Sequence, residues 1–264
     1  MRRGTGGLLP TVLLALAVLG AGFLILPLAG LVLRAPWGEV GSRIATPTVG
    51  QALRISLLTS LGALGLATVV GVPLAWVLAR TEFPGKGLLR VLCLLPMVLP
   101  PVVGGVALLL AFGRRGILGA PLHQALGVSL PFTPAGVVVA QAFVAMPFLV
   151  VTVEAGLRSL DRRYEAVAAS LGAGDWTTFR RVTLPLLAPS LGAGMGLAWA
   201  RALGEFGATI TFAGNLPGRT QTMPLAVYLE FQTRPEVAVL VSLILLAVSG
   251  AVLLAVHGRF LGPR

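Results

Sequence analysis

The chain has 264 residues, 56% of them hydrophobic and 11% charged, and a net charge of +11. Soluble domains carry about 25% charged residues, so this balance excludes an ordinary soluble globular protein and points to an integral membrane one. The positive charge does not point to nucleic acid, because the arginines fall between apolar runs and form no single stripe.

A membrane helix needs about 20 apolar residues. Six runs qualify: 8–33, 52–79, 91–112, 135–153, 186–212 and 237–256. The predicted fold class is an all-α membrane protein with six transmembrane helices. Arg2 and Arg3 before the first run suggest a signal peptide. The run continues to Leu33, however, and a cleavable apolar region has only about 7–15 residues, so an uncleaved first helix is expected. The loops are short and no soluble domain is inserted. The expected division is 1–49, first helix and external loop; 50–257, a transmembrane domain with a five-helix core; and 258–264, a cytoplasmic tail. The single cysteine, Cys93, lies in an apolar run and leaves no intrachain disulfide or Cys metal cluster.

The third run carries Pro96, Pro100 and Pro101, then Gly104 and Gly105. Each proline removes a helical hydrogen bond, and in lipid the freed groups need neighbours or a wet cavity. The run reads either as a bent helix lining a pore or as a kink within a packed bundle. Glu154, near the end of the fourth run, reads as a boundary residue.

Residues 158–189, RSLDRRYEAVAASLGAGDWTTFRRVTLPLLAP, are the longest break between apolar runs. Two short helices are expected there. Asp161 caps the first, which stops at Gly172 or Gly174. Asp175 caps the second, over 176–184, and Pro185 fits the first turn of the next apolar helix. By charge alone the segment also reads as a connector on the headgroups, with Arg158, Arg162, Arg163, Arg180 and Arg181 at anionic membrane lipid.

Its spacing resembles the cytoplasmic loop of permease subunits of binding-protein-dependent ABC importers, E-A-A-x3-G-x9-I-x-L-P. Here Gly172 is followed by nine residues and then Val182-Thr183-Leu184-Pro185. The first half departs: the E-A-A positions fall on Ala166-Val167-Ala168, and the glutamate is one place earlier, at Glu165. The resemblance implies a type I ABC importer permease fold acting as a homodimer. It implies that the loop docks into an ATPase subunit, with Glu165, Ala166, Ala168, Gly172, Asp175, Phe179, Leu184 and Pro185 as the coupling residues. It further implies two ATPase copies that bind ATP and Mg, and an external binding protein. This chain has no G-x4-G-K-[ST], so it is expected to hold no cofactor and not to be an enzyme.

In the fifth run Gly192, Gly196, Ala200, Gly204 and Ala208 recur every four residues, which lets helix backbones approach closely. The partner is either another helix of this chain or a second copy. Arg201 and Glu205, also four apart, form either a structural ion pair or a polar feature of the translocation path, since charge at membrane depth is costly unless paired or wet. The stretch from Arg201-Ala202-Leu203-Gly204-Glu205 to Ala208, with 214–224 after it, is similar to permeases for molybdate and sulfate, nearer the molybdate branch. Pro217-Gly218 is a turn. Asn215, Arg219 and Thr220 form a candidate outer mouth that guides an anion or meets the binding protein, or else a plain hydrophilic hairpin.

Orientation follows from the basic residues. Twelve fall on one side: Arg2, Arg3, Arg80, Lys86, Arg90, the five loop arginines, Arg259 and Arg264. Seven fall on the other: Arg34, Arg43, Arg54, Arg114, Arg115, Arg219 and Arg234. The richer side is cytoplasmic, so both termini and the loop face the cytoplasm of a bacterial or archaeal plasma membrane. The expected cargo is molybdate, with tungstate nearly matched in size and charge. The alternatives are a sulfate or thiosulfate permease and an ion-coupled secondary transporter using Arg201–Glu205. The secondary transporter leaves the gapped loop motif unexplained. A membrane-embedded enzyme is disfavoured, because the only histidines, His123 and His257, lie outside the apolar runs and form no H-E-x-x-H.

Overall fold

The computed structural model describes residues 8–39 and 47–256. Arg2, Arg3, Arg43, His257, Arg259, Arg264 and the 258–264 tail lie outside the described residues. Within them the helices are α1 (Leu8–Leu33), α2 (Pro47–Arg80), α3 (Lys86–Val98), α4 (Pro101–Phe112), α5 (Gly119–Leu126), α6 (Pro134–Ser159), α7 (Arg163–Ser170), α8 (Asp175–Thr178), α9 (Leu184–Leu203), α10 (Gly207–Ala213), α11 (Met223–Thr233) and α12 (Pro235–Val256).

Among the described residues, five helical stretches are long and apolar enough to cross a membrane. The third expected span is instead made of two shorter pieces, α3 and α4. The correction has a local cause. Leu99 and Pro100 are extended, with ψ of 134° and 130°, because a residue before proline is pushed out of the α region and Leu99 and Pro100 both precede one. Pro101 then starts α4, where a missing N–H costs nothing. Pro96 stays inside α3.

The bundle core is α2 against α6, with α9 as third member. Small residues allow the close approach: Ala63, Ala67 and Ala75 of α2 meet Ala142, Ala145, Leu149 and Val150 of α6. A Cβ built at Gly71 would lie 3.1 Å from Met146 and 3.2 Å from Val150. Hydroxyls on these helices bond back to the preceding turn, as Thr59 to Ile55 and Thr152 to Phe148, which satisfies them without water. α1 stands apart, exposed along almost its whole apolar length and touching α12 only lightly. A helix apolar all round fits a lipid surround.

α2 is 34 residues long, so it spans about 51 Å and overshoots a hydrocarbon core of about 30 Å at both ends. It thereby defines the two ends of the bundle. Arg80 at its end meets Glu165 of α7. At its other end Gln51 meets the turn at Gly218, where Gln51 Oε1 lies 3.2 Å from a Cβ built on the glycine.

Candidate functional site

At the end marked by Arg80, the segment between α6 and α9 folds back on the bundle. Asp161 Oδ1 accepts the Arg163 N–H at 2.9 Å, but from one place before the cap position, which Arg162 holds without a side-chain bond. Gly172 holds φ +81° after α7, a backbone state that L side chains avoid. Asp175 is a correction: it is the first residue of α8 with Gly174 at the cap position, and its side chain makes no cap bond. Its charge still sits favourably at the helix start. The second loop helix also does not stop before Pro185. It runs on through a π-turn at Phe179–Thr183 into α9, and Leu184 N–H bonds Phe179 O, five residues back. Pro185 has no N–H and its ring would crowd the Arg181 carbonyl, and widening the preceding turn relieves both problems.

The loop is tied down by a carboxylate. Glu165 Oε1 accepts Arg80 Nη2 at 3.1 Å and the Thr183 hydroxyl at 2.8 Å, joining α7, α2 and the π-turn. Arg80 also lies over the Trp76 ring at 5.8 Å. Trp76 packs edge-on against Phe179, and Phe179 stacks on Trp176. Trp76, Glu165, Phe179 and Thr183 of this set line an open cavity of about 550 Å³. Outward from the tied face, Tyr164, Val167, Leu171 and Trp176 are all exposed, Leu171 by 83%. Apolar side chains clustered on a charged loop mark a contact surface.

A second carboxylate lies just inside. Glu154 is buried and accepts Arg90 at 2.7 Å and Arg158 at 3.0 Å. It is therefore more than a boundary residue: it locks α3 to α6. Nothing in the sequence joins Glu154 to Arg90 across 64 positions. Next to it Lys86 donates to Glu82 at 2.7 Å and holds that carboxyl below its ordinary range.

Midway along the bundle α9 ends at Leu203. Glu205 thus lies beyond the helix, not on its face as the spacing suggested. It still pairs with Arg201, Oε2 to Nη2 at 2.6 Å, and its Oε1 accepts the Ala208 N–H at 2.8 Å, capping α10. Glu205 is 1% exposed and Arg201 27%. The helix break sits against the other one: Cβ atoms built at Gly207 and Gly105 would lie 2.7 Å from Pro101 Cβ and 2.6 Å from Thr211 Cβ. The small-residue stripe is interrupted at Gly204, with Ala208 beyond it fully buried. Gly192 and Gly196 are buried but Gly204 is exposed, and close approach centres on Gly194 against Leu149 and Thr152 of α6, an intrachain contact.

At the opposite end Arg219 is exposed and lines a cavity of about 420 Å³ with Arg54. Thr220 is a correction. It is fully buried, accepts the Leu216 N–H at 3.0 Å and donates to Gly214 O at 3.3 Å, so it staples the turn and faces no mouth. Asn215 is half-buried with its Oδ1 inside.

Residues 71–264 match the family described as "Binding-protein-dependent transport system inner membrane component". The chain belongs to this family of ABC importer permeases. It is 47% identical over 243 residues to the "Molybdenum transport system permease protein ModB" of Mycobacterium tuberculosis, covering 92% of each chain. It is 38% identical over 229 residues to the "Sulfate transport system permease protein CysT" of Escherichia coli, covering 85% of this chain and 82% of that one. Its fold is that of a permease in the crystal structure of a bacterial alginate ABC transporter in complex with an alginate-bound periplasmic protein, with TM-score 0.77 at 16% identity over 96% of this chain and 94% of that one. As a permease of this family with five long apolar helices, it is a multi-pass membrane protein.

Of the loop residues expected for this permease, Glu165, Ala166, Asp175 and Phe179 line the one cavity. Gly172 makes the turn between helices, Ala168 lies on α7, and Leu184 with Pro185 opens α9.

Proposed function

We propose that this chain is the transmembrane subunit of an ATP-driven importer of a tetrahedral oxyanion, most of all molybdate, with tungstate taken alike. The identity of 47% to a molybdenum permease over 92% of both chains carries the reading. The 38% likeness to a sulfate permease keeps sulfate or thiosulfate as the second reading. In this account two copies form the pore around the five helices after residue 50, and an external binding protein delivers the ion to the end bearing Arg219. Two ATPase subunits dock on the exposed face of α7 and α8 and supply the ATP and Mg. Closure of the ATPases moves the loops, and the Glu165–Arg80 tie passes that movement to α2. ATP hydrolysis belongs wholly to that partner. Calorimetry on the cognate binding protein tests the cargo: molybdate and tungstate should bind at least about tenfold more tightly than sulfate, and the reverse order would make this a sulfate importer.

Orientation is part of the proposal. The two ends of the bundle sort the basic residues as the sequence suggested, with Arg80, Lys86, Arg90 and Arg158 at one end and Arg54 and Arg219 at the other. The end with the loop is cytoplasmic. A single cysteine replacing exposed Gly174 should react with an impermeant reagent only from the cytoplasmic side, and one replacing Gly218 only from outside. Reversed labelling would invert the whole scheme.

A further inference from the structure

At the loop end a polar recess of about 290 Å³ opens between the end of α2, the start of α3 and the end of α6. Arg80, Lys86, Arg158 and Arg162 line it with a single carboxylate, Glu82. Arg80 and Lys86 are fixed in place, their side chains only 10% and 11% exposed. Arg80 keeps one hand free: Nη2 is held by Glu165, but the buried Nε has no hydrogen-bond partner. Arg162 is exposed and makes no ion pair among the described residues. The carboxylates nearby are already shared out, Glu82 to Lys86, Glu165 to Arg80, and Glu154 to both Arg90 and Arg158. With Arg90, Glu154 and Glu165 just beyond the lining and Asp161 beside Arg162, five cations meet four carboxylates, so the recess stays electropositive, and the buried Nε of Arg80 is an unused donor.

We infer that this recess binds a phosphate group, the phosphodiester of an anionic phospholipid at the headgroup level. Phosphate oxygens match both the guanidinium donors and the excess charge. The exposed apolar face of α3 beside the recess selects a lipid over free phosphate. Directly beyond Lys86, α3 presents Leu88, Val91 and Leu92 exposed in a row, a surface on which acyl chains can lie. Because Arg80 both lines the recess and holds Glu165, the lipid sits one ion pair from the coupling loop. This inference does not depend on which ion the protein carries.

The test uses the full chain in phosphatidylcholine nanodiscs with increasing phosphatidylglycerol, reading retained lipid by native mass spectrometry. Lys86→Gln with Arg162→Gln should weaken phosphatidylglycerol retention at least about tenfold, since each basic side chain at an anionic surface is worth about fivefold in affinity. Arg162→Gln alone, at an exposed site, should weaken it about fivefold and guards against misfolding of the double variant. Arg54→Gln at the opposite end should change nothing. Unaltered retention in the folded double variant, or an equal loss in Arg54→Gln, would overturn the site. A separate arm adds inorganic phosphate to delipidated protein in detergent. Thermal stabilisation by phosphate, with no preference for phosphatidylglycerol over phosphatidylcholine, would replace the lipid by a free anion and overturn the lipid assignment.

Discussion

Arg201→Ala is expected to destabilise the permease by about 3 kcal/mol, the scale of stranding one member of a buried ion pair. Glu205 is 1% exposed, so without Arg201 its carboxylate retains only the Ala208 N–H and must take up a proton or draw in water. Pairing it with Glu205→Gln should restore most of the loss. The amide oxygen still caps α10, and no charge is left buried. Glu205→Ala alone should cost less than Arg201→Ala, because Arg201 is 27% exposed and can reach water, although a cap worth about 1 kcal/mol goes with it. Thermal unfolding and uptake measured across this double-mutant cycle separate two roles. Recovery of both in the double variant assigns Arg201 to structure. Recovery of stability without uptake would place Arg201 on the path of the anion.

Glu165→Ala should leave a folded permease that no longer holds its ATPase. The carboxylate is the joint between α7, Arg80 and Thr183. Its loss frees the loop from α2 and leaves the largely buried Arg80 without its counter-ion. The cost in fold stability should stay at about 1–2 kcal/mol, because Glu165 is 27% exposed and water screens part of the interaction. Glu165→Gln keeps an acceptor for both donors and should retain much of the association. ATPase recovery on affinity-purified permease reads the effect, and equal recovery for wild type and Glu165→Ala would remove the joint from the coupling pathway.

Features set by short-range rules were legible in the sequence. The span of α1 followed from unbroken apolar residues, the turn at Gly172 from a glycine ending a helix pattern, and the bond from Asp161 to the start of α7 from its place before that helix. The gapped spacing from Gly172 to Pro185 survives a glutamate displaced by one position, because Glu165 turns inward to Arg80. What depends on distant partners was not legible. Arg80 and Glu165 are 85 positions apart, and Arg90 and Glu154 are 64 apart. Helix continuity misled in both directions. Proline at 185 does sit in the first turn of the next helix, yet a π-turn joins the loop helix to it without a break. The Arg201–Glu205 spacing looked helical, yet the chain leaves the helix at Gly204 and closes the pair across the break. Thr220 looked like a mouth residue because turns are usually wet, but its hydroxyl is consumed by Leu216 and Gly214.

The proposed importer depends on an ATPase docking on the exposed apolar face of α7 and α8. The most direct measurement is ATP-dependent molybdate uptake into proteoliposomes holding the permease purified with its native partners, the binding protein supplied outside. A stoichiometric ATPase is expected in the preparation, with uptake that needs ATP and the binding protein together, and loss of both ATPase and uptake in Trp176→Asp. Uptake driven by an ion gradient in the absence of any ATPase would contradict it.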